Sequence, residues 1–189
     1  MLKDDQKAKF EDIAFEHMDS LYSTALRLTR NTEEAEDLVQ DTYLRAYRFF
    51  DKFTEGTNFK AWIFKILTNT FINKYRKKVK TPHQVRLEKV EFGLENEEEY
   101  DQQQEWTGYD EEKYAELFDD DIKSALVQLS EEFRMVILLA DVEQFSYKEI
   151  AEIIDRPIGT VMSRLFRGRK MLQKMLEKYA RREGFISNK

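Results

Sequence analysis

The sequence predicts an all-α protein made of two small helical domains that an acidic linker joins. Three observations support this fold class. Only 6 Gly and 2 Pro occur among 189 residues, so few positions break a helix. Apolar residues recur at steps of three and four in the first and last thirds of the chain, as one buried helix face requires. Between them, residues 81–121 hold 15 Asp and Glu against 3 Lys and Arg, which offers little to bury.

The first predicted domain, residues 1–80, contains three or four helices that close a small bundle. One apolar stripe covers residues 10–28. A second covers residues 32–53, where Thr32 is expected to act as N-cap ahead of an acidic first turn. Residues 54–58 form a loop, and a further helix is predicted over residues 59–75.

The predicted linker, residues 81–121, begins beside Pro82, which stops the preceding helix. Its composition predicts a solvated, disordered tether. Such a tether would average roughly 35 Å from end to end and reach about 125 Å when stretched. Its carboxylates also allow a second interpretation, in which they occupy a groove built for phosphates. Composition alone favours the simple tether.

The second predicted domain, residues 122–189, ends in a helix-turn-helix. Helices are expected over 121–129, after a capping Ser130, and over 147–154. A turn follows at 155–159, where Asp155 tolerates a left-handed conformation, and a long helix covers about 160–179. One face of that helix is basic, as in helices that enter the DNA major groove. The candidate base-reading and phosphate-binding residues on it are Thr160, Ser163, Arg164, Phe166, Arg167, Arg169 and Lys170.

A second candidate nucleic-acid surface lies on the predicted helix over 59–75 and just beyond it. Aromatic and amide residues alternate there with cations, a pattern that suits stacking on unpaired bases and contact with phosphates. Core packing is the favoured interpretation of Trp62, Phe64 and Phe71. The polar face is less easily explained by packing, and it contains Lys60, Asn69, Asn73, Lys74, Arg76 and Lys77. The net charge of −6 does not oppose this, because the two ends of the chain are net positive.

A third surface is the polar face of the predicted helix over 32–53. Such faces are usually only solvated, but an exposed leucine among hydrogen-bonding groups suggests a protein interface. The residues that share this face are Asp37, Gln40, Asp41, Leu44 and Arg48.

Catalysis, metal binding and cofactor binding find no support in the sequence. With 0 Cys, the chain forms no disulfide, thiolate zinc site or cysteine nucleophile. The two histidines, His17 and His83, match no metal-ligand spacing, and no Gly-rich phosphate loop occurs. No apolar run reaches the ~20 residues of a membrane span, and no signal peptide is recognisable. We therefore expect a cytoplasmic protein that is not an enzyme.

These motifs together resemble bacterial sigma factors of the extracytoplasmic function (ECF) group of the sigma-70 family. Residues 35–42 (AEDLVQDT) are similar to region 2.2, residues 58–69 to region 2.3 and residues 146–169 to region 4.2. The segments 75–78, 129–135 and 158–164 resemble the sigma R and sigma H branch most closely. The resemblance implies a protein that binds core RNA polymerase, recognises the −10 and −35 promoter elements, and promotes melting and initiation.

The resemblance also implies roles for individual residues. The face from Asp37 to Arg48 would contact the clamp helices of the largest polymerase subunit, and the second domain would contact the flap of the second-largest. Loop 54–58 would capture a flipped −10 base together with Asn58, Phe59, Trp62, Asn69 and Asn73. Backbone phosphates would be held by Lys60, Lys65, Lys74, Arg76 and Lys77. The −35 element would be read from the major groove by Ser163, Phe166 and Arg167.

Further partners follow from the same resemblance. Besides promoter DNA and core polymerase, the resemblance implies an anti-sigma factor that binds this protein and holds it inactive. An additional recruiting protein could take part in promoter selection. Two alternatives remain open at this point. One is a helix-turn-helix regulator that binds duplex DNA without core polymerase, and the other is a polymerase-binding regulator that never reads DNA.

Overall fold

A computed structural model describes residues 4–79 and 120–186 of the chain. The regular structure within these two ranges is helical, with no strand. The predicted acidic linker, apart from its last two residues, lies outside the described ranges. We call residues 4–79 the N-terminal module and residues 120–186 the C-terminal module. No helix in either module is long and apolar enough to cross a membrane.

Nine α-helices follow one another along the described residues. The N-terminal module contains α1 (Asp4–Phe15), α2 (Met18–Thr29), α3 (Thr32–Arg48), a 3-10 turn (Phe50–Lys52) and α4 (Phe59–Val79). The C-terminal module contains α5 (Asp120–Gln128), α6 (Glu131–Ile137) with a π-helical turn (Leu138–Val142), α7 (Tyr147–Ile153), α8 (Ile158–Met175) and α9 (Glu177–Arg182). This confirms the predicted all-α fold class.

The helix boundaries in the N-terminal module differ from the prediction at several points. The stripe predicted over residues 32–53 is α3, which ends at Arg48, followed by the 3-10 turn, and the helix predicted over 59–75 continues to Val79. The apolar stripe over residues 10–28 is divided into α1 and α2, with His17 at the boundary. The N-cap of α3 is Asn31, whose side chain accepts a hydrogen bond from the Glu34 backbone N–H at 2.9 Å. The predicted cap, Thr32, is instead the first helical residue, because Asn31 has the extended backbone that a capping side chain needs.

The C-terminal module confirms the helix-turn-helix and corrects its details. Ser130 precedes α6 but makes no side-chain capping bond, whereas Ser146 and Glu149 form a full capping box at the start of α7. Asp155 adopts the left-handed conformation that the turn requires, with φ of 50°. The last long helix begins at Ile158, two residues earlier than predicted, and breaks at Leu176 into the short α9.

The two modules pack against each other. Helix α4 lies against α7 and α2 lies against α6. The rings of Phe64 and Phe145, one from each module, meet edge to face with centroids 5.2 Å apart. Both side chains are buried, so the cores of the two modules are continuous at this point.

Candidate nucleic-acid interface

The long helix α8 has an inner face that packs into the module core and an outer face with apolar and cationic side chains. Val161 and Leu165 are buried against α6 and α7. The opposite face exposes Met162 and Phe166, which retain 52% and 70% of their free surface. Arg167 lies beside Phe166, and its guanidinium is over the Phe133 ring at 5.9 Å. This combination offers both hydrogen-bond donors and an apolar surface to a DNA groove.

The candidate cations of α8 differ in the partners they have. Arg164 forms an ion pair with Glu132 at 2.8 Å. Arg169 donates to both carboxylate oxygens of Asp141 and to the Tyr147 hydroxyl, and these hydrogen bonds raise its pKa above the usual arginine value. No carboxylate within the described ranges pairs with Arg167 or Lys170. These two cations are therefore the members of the set most available to a phosphate or a base.

The two predicted hydroxyl-bearing residues lie on the first turns of α8. The hydroxyl of Ser163 donates to the Thr160 backbone carbonyl at 3.0 Å, and both side chains are partly exposed. The Arg167 Nε in turn donates to the Ser163 carbonyl at 3.3 Å. The structure thus brings Thr160, Ser163, Phe166 and Arg167 together on one continuous surface of the helix.

The start of α4 is built on a cluster of aromatic rings. Phe59 and Trp62 are 5.5 Å apart, and Phe53 is 5.3 Å from each of them. Phe59 is buried, whereas Trp62 is only partly buried at the edge of the cluster. His17 stacks on the Phe59 ring, and burial, followed by the charge of Lys60, lowers the pKa of this histidine below 6.5. Phe53 and Phe59 flank loop 54–58, so their contact holds the two ends of the loop together.

The polar residues predicted to contact nucleic acid are spread along α4. Lys65, Asn69 and Asn73 are exposed, whereas Lys74 forms an ion pair with Asp41 at 2.8 Å. Arg76 and Lys77 fall in the last turn of the helix. The remaining two, Asn58 and Lys60, make contacts with the C-terminal module. The Asn58 amide donates to Glu149 at 2.8 Å while its oxygen caps α4 by accepting from the Ala61 N–H at 3.0 Å.

The candidate protein interface on α3 is an exposed face opposite the buried one. Asp37, Gln40, Leu44 and Arg48 are exposed, and Leu44 retains 54% of its free surface. Asp41 is half-buried and forms an ion pair with Lys74. The opposite face packs into the module through Ala35, Leu38, Val39, Thr42 and Ala46. The predicted residues therefore share one surface of α3, with the apolar Leu44 near its centre.

Two buried charged residues were missed by the sequence analysis. Arg134 is 1% exposed and donates to four backbone carbonyls, with distances of 2.7–3.2 Å, and burial lowers its pKa. The side chain of Glu143 is 5% exposed and accepts from Thr24 at 2.8 Å and from Lys60 at 2.9 Å. Both lie between the modules, and no local pattern distinguishes them from surface residues. Within the described ranges, no group of three or more His, Asp or Glu is placed to hold a metal ion.

Comparison with known proteins identifies the family to which both modules belong. The model of sigma-70 region 2 matches residues 15–81, and the model of sigma-70 region 4 matches residues 119–172. The chain is 34% identical to the ECF RNA polymerase sigma factor SigW of Bacillus subtilis, with 92% of the chain and 91% of SigW aligned. It is 33% identical to SigE of Mycolicibacterium smegmatis, with 90% of the chain but only 63% of SigE aligned.

Solved structures show the same relationship. The sigma factor RpoE of Bartonella quintana, solved in complex with the anti-sigma factor NepR, superposes with a TM-score of 0.63 at 34% identity, covering 88% of this chain and 98% of RpoE. CnrH, solved with the cytosolic domain of CnrY, shares the fold with a TM-score of 0.61 at 22% identity. The N-terminal module thus corresponds to sigma region 2 and the C-terminal module to sigma region 4. The chain belongs to the sigma-70 family and is an RNA polymerase sigma factor of the ECF group.

Proposed function

We propose that this sigma factor uses three separate surfaces: α3 for core RNA polymerase, α4 with loop 54–58 for the −10 element, and α8 for the −35 element. The observation that carries the proposal is the outer face of α8, where Arg167, which has no carboxylate partner in the described ranges, lies beside the largely exposed Phe166. Phe166 and Met162 lie one turn apart and are both more than half exposed, so they form an apolar patch of the kind that marks an interaction surface. The protein would act in the cytoplasm, where polymerase works, and would catalyse no reaction of its own.

The −35 element would be read by the first half of α8 in the major groove. Arg167 can pair with a guanine edge through two hydrogen bonds, and Phe166 can contact a thymine methyl group. Ser163 can donate or accept, so it tolerates several bases. Arg164 and Arg169, which are held by Glu132 and Asp141, would support the position of the helix more than they read bases.

The −10 element would be captured as single-stranded DNA by α4 and the loop before it. The partly buried Trp62 at the edge of the aromatic cluster offers a stacking surface, and the exposed Asn69 and Asn73 offer hydrogen bonds to a base edge. Unstacking a base costs a few kcal/mol, which contacts in the loop pocket and with phosphates would offset. Lys60, Lys65, Lys74 and the two cations near the end of α4 would bind the phosphates.

Core polymerase would bind the exposed face of α3. Leu44 supplies apolar area at its centre, and Asp37, Gln40 and Arg48 supply polar contacts around it, which is the usual anatomy of a protein interface. The C-terminal module would contact the flap of the second-largest subunit. An anti-sigma factor is a further expected partner, supported by the likeness to RpoE of Bartonella quintana, which was solved in complex with NepR. An additional recruiting protein is compatible with the same surfaces.

A promoter library transcribed by core polymerase plus this protein tests the proposal. Sequencing of the transcripts should return defined −10 and −35 elements. Arg167→Ala should lose activity on these promoters, and some changed −35 sequences should restore it. The matched control is Lys178→Ala, which removes an exposed cation from α9, away from the proposed reading face. If Arg167→Ala and the control show the same −35 preference as the unmodified protein, α8 is not the reader.

The same experiment separates the two alternatives. A helix-turn-helix regulator would bind duplex DNA tightly without core polymerase, usually as a dimer on a palindrome. A polymerase-binding regulator that never reads DNA would leave transcription unaffected by Arg167→Ala. The similarity to SigW and RpoE over nearly the whole chain supports the sigma factor over both.

A further inference from the structure

Met162 is a second large apolar side chain that α8 exposes beside Phe166. The two residues lie four positions apart, and both side chains retain more than half of their free surface. Exposing large apolar groups to water is unfavourable, so neighbouring exposed ones mark a surface that binds a partner. We call Met162 and Phe166 the apolar edge of α8. Phe166 is proposed above to contact a thymine, which leaves the partner of Met162 to be identified.

The packing of α8 fixes the position of this apolar edge. Val161 and Leu165, the residues directly before Met162 and Phe166, are 0% and 1% exposed in the module core. Successive residues of a helix are about 100° apart around its axis, whereas residues four apart differ by only about 40°. Because the two buried residues hold the helix against rotation, Met162 and Phe166 stay together on its outer side.

A polar edge, formed by Ser163 and Arg167, runs alongside the apolar one. These residues directly follow Met162 and Phe166, so they lie about 100° further around the helix. The Arg167 guanidinium and the Lys170 ammonium have no carboxylate partner within the described ranges. A purely apolar partner would leave these cations unsatisfied, whereas DNA offers phosphates to the cations and base edges to the rest of the face. Charge therefore favours DNA as the occupant of both edges.

The major groove offers one apolar group that such an edge can contact. This group is the C5 methyl of thymine, which none of the other three bases carries. Four residues of a helix advance about 6 Å along its axis, and successive bases of one strand advance about 3.4 Å. Met162 and Phe166 are therefore placed to contact methyl groups about two base steps apart. The flexible, unbranched methionine side chain adapts its shape to such a contact.

We infer that Met162 is a further specificity-determining residue, which contacts the methyl group of a second thymine in the −35 element, about two base steps from the thymine at Phe166. The inference deepens the proposed function and rests on it for the placement of α8 in the major groove. The −35 element should accordingly hold a thymine, on either strand, at each of the two positions. Met162 would thus select a base that Ser163 and Arg167 do not read.

Removal of single methyl groups from the DNA tests the inference. Deoxyuridine in place of thymidine removes the C5 methyl and keeps the base pair. Promoter fragments with one such replacement in the −35 element, on either strand, are titrated with the complex of core polymerase and the full-length protein. Because burial of one methyl group strengthens binding about fourfold, replacement at each of the two positions should weaken the affinity by about that factor.

Substitutions of Met162 assign one of the two positions to this residue. Met162→Gln keeps the length of the side chain and removes its apolar end, so the methyl effect should vanish at one position and persist at the other. Met162→Leu keeps an apolar side chain and should retain the effect at both. The matched control is Met171→Gln, because Met171 is also exposed on α8 but lies about 180° around the helix from Met162. The control should leave both methyl effects unchanged.

Two results would overturn the inference while the proposed function stands. One is a −35 element that lacks the second thymine. The other is a loss of affinity on every deoxyuridine fragment that is the same for Met162→Gln as for the unmodified protein. A fragment with a scrambled −35 element that binds as tightly as the intact promoter would instead refute the proposed function, and the inference with it.

Discussion

Replacement of Arg134 by alanine should be one of the most destabilising single changes at the interface between the modules, where this side chain is buried. Its guanidinium donates to the carbonyls of Leu126, Val127 and Leu129 at the end of α5, and to that of Leu28 at the end of α2. Carbonyls in the last turn of a helix have no partner within the helix, and a cation there also complements the helix dipole. Arg134 therefore closes two helix ends at once.

The expected cost follows from these four hydrogen bonds. Leaving a buried polar group without its partner costs about 1–3 kcal/mol. Four carbonyls at about 1 kcal/mol each would cost about 4 kcal/mol. Water that enters the space left by the side chain can bind some of these carbonyls, so we expect a net cost of about 3 kcal/mol. At about 2–4 °C per kcal/mol for a chain of this size, the Tm should fall by roughly 6–12 °C. Arg134→Lys should have an intermediate effect, because a single ammonium cannot reproduce the forked geometry of a guanidinium.

Thermal unfolding followed by circular dichroism measures this effect. Arg156→Ala is the matched control, because Arg156 is exposed and, among the residues that the structure describes, its side chain donates only to the carbonyl of Asp155, at 3.3 Å. The control should change stability by less than about 0.5 kcal/mol. Equal melting temperatures for Arg134→Ala and Arg156→Ala would refute the reasoning that the buried guanidinium closes the two helix ends.

Three further predictions concern other parts of the molecule. Leu44→Asp should weaken core affinity about tenfold or more without loss of stability, because this leucine is exposed in the free protein; binding and melting curves check this together. Hydrogen bonds from the Ser146 hydroxyl and backbone N–H lower the pKa of Glu149 below 4.5. The Glu149 carboxylate therefore stabilises the fold fully above pH 4.5, and this contribution is lost as the pH falls through the lowered pKa. Glu149→Gln should thus cost about 1 kcal/mol at pH 7 and progressively less as the pH falls below 4.5, in melts across that range. Gly168→Ala should destabilise by about 1–2 kcal/mol because the new Cβ would lie 2.8 Å from a core isoleucine, whereas Gly159→Ala, which meets nothing within 4 Å, should stabilise by up to about 1 kcal/mol.

Local patterns allowed most of the helices to be predicted from the sequence. The three-and-four spacing of apolar residues indicated α3, α4 and α8 because it depends only on which side of a helix is buried. The turn at Asp155 is also a short-range feature. The capping box of Ser146 and Glu149 before α7 was not predicted, although its sequence signal is equally local. The N-cap of α3 was predicted one residue late because Asn31 and Thr32 are both capable caps, and only the backbone conformation distinguishes them.

The candidate surfaces could be predicted only in part. Helical spacing was sufficient to group Leu44 with its polar neighbours and Phe166 with Arg167. Spacing could not show which cations already have partners, because Glu132 and Asp141 reach α8 from a different helix. The buried roles of Arg134 and Glu143 could not be predicted for the same reason. A partner of Arg134 lies 106 positions away in the sequence, and a partner of Glu143 lies 119 positions away.

Transcription by purified core RNA polymerase, with and without this protein on the same set of templates, tests the central claim most directly. The account predicts that the protein adds transcripts with defined start points. Each should follow a −10 and a −35 element and disappear when either element is scrambled. Transcripts with the same start points and the same yields in both reactions, from a protein shown to be folded, would contradict the assignment of promoter recognition to this chain.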